Sequence, residues 1–386
     1  MNETGDRALL PAGLQDILPP QAAHEAGVVE RLLAGFASQG YERVKPPLLE
    51  FEETLMAGAG AAVAQQTFRL MDPVSQRMMG LRADITPQVA RIAATRLGRA
   101  PRPLRLCYGG QVLRVRGGQL RGERQFGQAG VELIGAPQAA ADAEVVLLAA
   151  EALGSLGVVG LSIDLNLPPL VTAVAAALGI DREGGDALRQ ALDRKDAAAV
   201  EALAGAHGAL FLALLRAAGP AGPAMAALGA LELPPGAAAE IARLAEVVGQ
   251  IQAAAPELTL TLDPVEHRGF EYQTGVSFTI FARGVRGELG RGGRYLAETA
   301  AEQAASAPES STGFTLYMDT VLRALPKAEQ IARLYLRAGT TPARARELRA
   351  AGWITLAGLE AVADGKAEAR RLACSHILTD DRIEEL

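Results

Sequence analysis

Cysteine is scarce: Cys107 and Cys374 are the only two in 386 residues. They lie far apart and lack the spacing of a metal-ligand set, so no disulfide framework and no metal site are expected. That usage fits a reducing cytoplasm. An excess of positive charge is also missing. Lys and Arg number 38 against 44 Asp and Glu, a net charge of −6, which argues against a protein built mainly to hold nucleic acid. The start, MNETGDRALLPAG, has no basic run followed by an apolar one, so no signal peptide is expected. Long uncharged apolar runs are lacking as well. Asp, Arg, Gly and Pro interrupt the alanine-rich stretches, and no membrane partner is expected.

What is present is apolar bulk. Hydrophobic residues make up 49% of the chain, enough for a sizeable core, and the length suits one large domain or two to three smaller ones. The many Ala, Gly and Arg residues reflect composition rather than function.

The stretch that organises the chain is Leu104–Gly135, read as strand, turn, strand. Leu106, Tyr108, Val112 and Leu113 mark the first run, Gly117-Gly118 the turn, and Phe126, Val131, Leu133 and Ile134 the second run. A period of two puts Arg124, Phe126, Gln128, Gly130 and Glu132 on one face. Burying Arg, Gln and Glu is costly, so this face lines a polar cleft or stays solvated.

Before it, His24–Gly40 carries a helical stripe of Val28, Val29, Leu32, Leu33 and Phe36. Tyr41–Phe51 follows as an extended run broken by Pro46-Pro47. Thr67–Met79 reads as a hairpin turning at Asp72-Pro73. In LRADITPQVARIAATRLG, Thr86 is a good N-cap, Pro87 sits at the first helical position and Gly98 closes the helix. Ten arginines and two acids lie between Arg82 and Arg124. This basic stretch has no interleaved aromatics of the kind that stack on bases.

After it, Ala140–Leu156 is a predicted helix and Leu161–Leu165 a strand. Residues 170–255 read as an all-helical insertion carrying no nameable chemistry. Leu258–Leu262 is a strand, and Val276, Phe278 and Ile280 alternate along another. Gly290, Gly292 and Gly293 suggest a glycine-rich hairpin, Ser306–Thr312 a polar loop and Gly313–Leu325 a helix. From Pro326 the pattern is a small βαβαβ unit with ten Lys and Arg against nine Asp and Glu from Lys327 onward. A domain gripping a nucleic-acid stem carries more positive charge.

The frame Arg114, Arg124, Phe126, Gln128, Glu132 and Gly135 resembles motif 2 of class II aminoacyl-tRNA synthetases, most closely histidyl-tRNA synthetase. Arg268-Gly-Phe-Glu-Tyr272 and Gly292-Gly-Arg-Tyr295 resemble two histidine-specific motifs of that family. With the rest of the chain, the match is closer to the synthetase-like regulatory subunits of ATP phosphoribosyltransferase. The fold this implies is α+β. Residues 1–325 would hold an antiparallel sheet flanked by helices, with the insertion at about 170–255. Residues 326–386 would be a shortened anticodon-binding-like α/β domain. The helix and strand around Val28–Phe51 resemble motif 1, which implies a homodimer interface.

The resemblance also implies a histidine site. Asp84, Thr86 and Gln128 would hold the ammonium, and Arg268 the carboxylate through the two-pronged geometry of a guanidinium. Arg114 would reach the same carboxylate, Glu132 and Tyr295 would address the imidazole, and Tyr272 would stack or bond beside it. Gln273 stands where the synthetase more often has a second Tyr. The ATP side departs from the family. Motif 2 normally runs Arg-x-Glu, but here it is Arg114-Val-Arg116, and a guanidinium accepts no hydrogen bond. Motif 3 normally ends Glu-Arg-Leu, but here it is Asp319-Thr320-Val321, without the cation that faces a phosphate. Arg323, one helical turn on, is a weak substitute.

The leading expectation is therefore a non-catalytic, cofactor-free regulatory subunit that senses L-histidine. It would pair with a short catalytic ATP phosphoribosyltransferase in the cytoplasm, in a hetero-octamer by resemblance, and would bind no tRNA. An active histidyl-tRNA synthetase and a tRNA-binding translation regulator on the same core are the alternatives.

Overall fold

A computed structural model describes residues 10–118, 122–267, 269, 272–297, 308–326 and 332–386. The chain divides into two compact units, Met1–Pro326 and Lys327–Leu386.

The first unit begins with α1 (Gln21–Ser38), whose buried stripe is Val28, Leu32, Leu33 and Phe36. β1 (Glu42–Arg43), β2 (Leu49–Phe51) and the short α2 (Glu52–Leu55) follow. After a 3-10 segment come β3 (Phe68–Met71), β4 (Met78–Leu81) and α3 (Thr86–Thr95). The expected strand pair is β5 (Leu104–Leu113) with β6 (Gln125–Ile134), in antiparallel register from Leu104↔Ile134 to Leu113↔Gln125. α4 (Ala139–Ser155) and β7 (Leu161–Asn166) lead into the insertion. Its helices are α5 (Pro169–Ala177), α6 (Arg182–Asp193), α7 (Ala197–Ala204), α8 (Gly208–Arg216), α9 (Ala221–Gly229) and α10 (Pro235–Ala254), with a two-residue β8 (Gly219–Pro220). The core closes with β9 (Thr259–Asp263), β10 (Gln273–Ala282), β11 (Gly290–Ala297), β12 (Glu309–Tyr317) and α11 (Met318–Ala324).

Among the described residues, nine strands form one sheet in the order β1-β5-β6-β12-β11-β10-β7-β9-β8. The pairs β1/β5 and β7/β9 are parallel and the other pairs antiparallel. The fold is α+β, as expected. Alternation sends Val131, Leu133, Phe278, Ile280, Phe314 and Leu316 into one core with α1 and α4. Leu106, Tyr108, Phe126, Tyr295 and Tyr317 face the other way, into a smaller core with Val89 and Ala93 of α3.

Three readings need correction. Glu309–Thr312 belong to β12 rather than to a loop, and residues 306 and 307 lie outside the described set. Gly313–Tyr317 continue that strand, so the helix starts only at Met318. Phe314 and Leu316 point into the α1–α4 core while Tyr317 points to the opposite one, a period of two that a helix cannot give. Gly290–Gly293 are also strand rather than hairpin tip. A Cβ on Gly292 would lie 2.3 Å from the Gly313 carbonyl oxygen, so these glycines let adjacent strands approach.

Ala197–Arg216 is long and apolar enough to cross a membrane. It is not one helix, however. Gly205, at φ 52°, breaks it into α7 and α8, whose Val200, Phe211 and Leu214 are buried in the large core.

The second unit contains β13 (Arg333–Leu336), α12 (Pro342–Ala350), β14 (Ile354–Ala357), α13 (Gly365–Arg371) and β15 (His376–Thr379). A further strand, β16 (Arg382–Glu385), pairs antiparallel with β15 in the order β14-β13-β15-β16. Asp380 and Asp381 turn this hairpin at φ 44° and 65°, the two left-handed positions of a tight turn.

Candidate functional site

The site is built around Glu132. It sits on β6 between Leu106 of β5 and Gly313 of β12, and is 1% exposed. A carboxyl that deep needs partners. Thr86 Oγ1 donates to its Oε1 at 2.8 Å, Tyr108 OH lies 3.3 Å from the same oxygen, and Tyr295 OH donates to Oε2 at 2.9 Å. Tyr108 OH also meets Thr315 Oγ1 at 2.7 Å. Two glycines make the room. A Cβ on Gly313 would stand 2.2 Å from Glu132 Oε2, and one on Gly130 would stand 2.5 Å from Tyr108 OH.

Burial dominates the electrostatics. It pushes the Glu132 carboxyl up to about 8; the Thr86, Tyr295 and Tyr108 hydroxyls pull the other way, and nearby Asp84 adds to the rise. Tyr295 and Tyr108 are raised well above a free phenol, by burial first and then by Glu132. Tyr272, half-buried and edge-to-face with Tyr295 at 6.1 Å, is raised by burial, Asp84 and Glu132.

Thr86 is not the N-cap that the sequence suggested. Ile85 occupies that position, and Asp84 Oδ1 accepts the Thr86 amide at 3.2 Å. With its backbone supplied by Asp84, the Thr86 hydroxyl is released toward Glu132. Gln128 is fully buried on the same face of β6. Its Oε1 accepts the Ile85 amide at 3.2 Å, while its Nε2 has no partner among the described residues. Arg114 Nε donates to the carbonyl of Ala83, beside Asp84, at 3.3 Å, and its guanidinium lies 5.0 Å from the Phe126 ring. The structure thus brings Asp84, Thr86, Gln128, Glu132, Tyr272 and Tyr295 into one neighbourhood, with Arg114 at its edge. Arg268 lies outside the described residues. The two readings of the β6 face resolve toward burial: Phe126, Gln128 and Glu132 are 5% exposed or less.

Sequence reasoning missed Tyr108 and Thr315. Tyr108 was legible as a period-two partner across from Gly130, the glycine that admits its ring. Arg294, inside the Gly-Gly-Arg-Tyr motif, points to the other face of the sheet. There it is buried against Asp142, with Nε donating to Oδ2 at 3.0 Å and Nη1 to the Ala136 carbonyl at 2.8 Å.

On the motif 3 side, Thr320 is 1% exposed, whereas Arg323 is exposed and ion-pairs with Asp319 at 3.6 Å. A cavity of about 380 Å³ nearby is lined by Asp16, Glu25, Glu123, Asp319 and Arg323 among others. That acidic lining does not suit a nucleotide phosphate. Among the described residues no group of three or more His, Cys, Asp or Glu could hold a metal ion.

The sequence and the fold have counterparts among known proteins. The profile described as Histidyl-tRNA synthetase matches residues 13–321. The ATP phosphoribosyltransferase regulatory subunit of Paramagnetospirillum magneticum is 59% identical over 386 residues, all of both chains. That of Rhodospirillum centenum is 59% identical over 379 residues, 98% of this chain and 96% of its own. A crystal structure described as an ATP phosphoribosyltransferase regulatory subunit/histidyl-tRNA synthetase from Bacillus halodurans superposes with a TM-score of 0.81 at 25% identity, covering 95% of this chain and 96% of that one. Histidyl-tRNA synthetase from Nostoc shares the fold at a TM-score of 0.80 and 17% identity. The chain therefore belongs to the ATP phosphoribosyltransferase regulatory subunits, a family built on the histidyl-tRNA synthetase fold.

Proposed function

We propose that this chain senses L-histidine for a short catalytic ATP phosphoribosyltransferase subunit and carries out no aminoacylation itself. One observation carries the reading: the buried Glu132 carboxyl is held by Thr86 and Tyr295, the residues that the family resemblance assigns to histidine. By the same resemblance Thr320 stands where motif 3 has a cation. The ammonium of histidine meets Asp84, Thr86 and Gln128; its imidazole meets Glu132 and Tyr295, with Tyr272 alongside. Arg114 and Arg268 hold the carboxylate, a role that rests on the family resemblance. The absence of a cation at Thr320 weighs against adenylate formation, a step that depends on cations positioned on the phosphates. The chain dimerises through α1 and the β1–β2 run and joins the catalytic subunit in a larger hetero-oligomer, without tRNA. It works in a reducing cytoplasm, where Cys107 and Cys374 stay free thiols.

The test pairs two measurements on the pure protein. Calorimetry with L-histidine should show saturable binding, and histidine-dependent exchange of pyrophosphate into ATP should stay at background. Clear exchange would overturn the regulatory reading in favour of an active synthetase. Light scattering, alone and with the catalytic subunit, checks the assembly; a monomer in both cases counts against it.

A further inference from the structure

We infer that the helical insertion is part of the histidine sensor: the α6–α7 turn positions the β9–β10 connection, which carries Tyr272 to the site. This rests on the histidine-binding reading above. The insertion bonds this connection and the end of β9. Asp193, the last residue of α6, accepts the His267 amide through Oδ1 at 2.8 Å. Lys195, in the turn that follows, ion-pairs with Asp263 at the end of β9. Lys195 holds a left-handed backbone at φ 57°, unusual for a residue other than glycine. The core holds the same connection from below. Asn166 of β7, fully buried, donates to Glu266 Oε2 at 2.8 Å. Arg291 of β11 donates to the Gly269 carbonyl at 3.1 Å. At the far end Tyr272 packs edge-to-face on Tyr295, which bonds Glu132.

Glu266, His267 and Gly269 of the connection are thus bonded to the insertion or the sheet, and Tyr272 packs on the cluster around Glu132. Two consequences follow. Loosening the α6–α7 grip weakens histidine binding without touching a ligand-contacting residue. By reciprocity, histidine binding steadies the α6–α7 turn. Asp193 acts here as a positioning residue.

The experiment uses the full chain as wild type, Asp193→Ala, Asp193→Asn and Lys195→Met. Histidine calorimetry, thermal unfolding without ligand and hydrogen exchange of peptides spanning 192–199 and 263–273 are read on each. Losing a hydrogen bond that orders a binding segment should weaken histidine about tenfold in Asp193→Ala. Asp193→Asn keeps an acceptor oxygen and should restore most of that loss. Lys195→Met changes an exposed turn and should weaken binding by roughly threefold with unchanged unfolding. The 263–273 peptide should exchange faster in Asp193→Ala without ligand, and histidine should slow the 192–199 peptide in wild type. Wild-type affinity in both Asp193→Ala and Lys195→Met would overturn the inference. So would equal losses in Asp193→Ala and Asp193→Asn that track a lowered unfolding temperature. If wild type takes up no histidine, the histidine reading fails, and the ligand-free exchange comparison still decides whether Asp193 positions the connection.

Discussion

Glu132 combines two demands of opposite sign. Its carboxyl lies among three hydroxyls in a buried site, and burial raises it from the ordinary glutamate range to about 8. A carboxyl raised on folding binds its proton more tightly in the native state than in the unfolded one. Its stabilising contribution is therefore complete below about pH 4.5 and is lost as pH rises toward 8. Glu266, raised to about 7 by burial, Asp263 and Asp164, acts in the same direction. Glu132→Gln removes the titration while keeping the shape. Its unfolding temperature relative to wild type should climb between pH 5 and pH 8, reflecting roughly a few kcal/mol at most. Histidine binding should move the other way. A hydrogen bond to a charged group contributes about 1.5–3 kcal/mol, on the order of tenfold to a hundredfold in affinity. That deficit should widen toward pH 8, as the wild-type carboxylate becomes available to the imidazole. Calorimetry and thermal unfolding across one pH series read both trends. A uniform loss of stability in Glu132→Gln, with no histidine binding in wild type, would mark Glu132 as a purely structural group.

The start of α3 shows how a local rule can hide a tertiary role. Thr followed by Pro is a good helix opening, and a cap explains Thr86 without any ligand. In the structure Ile85 holds the N-cap position, Asp84 Oδ1 accepts the Thr86 amide, and the Thr86 hydroxyl crosses to β6. Thr86→Val separates the roles, because it keeps volume and removes only the hydroxyl. Histidine affinity should fall about threefold to tenfold, the worth of one net hydrogen bond, with helix content by circular dichroism unchanged. Unchanged affinity with a lower unfolding temperature would leave the Thr86 hydroxyl a purely structural role. The same tension explains which elements were legible. α1, α4, β5, β6 and β10 have long, regular apolar patterns, and their sequence readings agree with the structure to within a few residues. β12 ran into α11 without a break, so a period-two strand was absorbed into the helix that follows it. β16 is four residues long, with Ile383 its only large apolar residue. The residue types of the site were legible through motif spacing. The Glu132–Tyr108–Thr315 contacts were not, because they depend on the register of three strands and on glycines that matter only once strands are paired.

At the scale of the whole molecule, the cluster around Glu132 and the insertion that bonds the β9–β10 connection both lie within Met1–Pro326. Regulation of a catalytic partner then depends on energy passed between subunits. Histidine can inhibit the assembled transferase only by as much as its affinity differs between the active and inhibited states. The coupling is reciprocal for binding: if histidine weakens phosphoribosyl pyrophosphate by some factor, that substrate weakens histidine by the same factor, typically about 5- to 150-fold. Titrating histidine into the assembled complex with and without saturating phosphoribosyl pyrophosphate, and the substrate with and without histidine, should return matching ratios. In complexes built with Glu132→Gln the concentration of histidine needed for half inhibition should rise in parallel with the lost affinity. The uninhibited rate should survive if Glu132 serves only to sense histidine. Inhibition that persists unchanged in the Glu132→Gln complex would mean that histidine acts on the catalytic subunit directly, and that the cluster around Glu132 does not set the response.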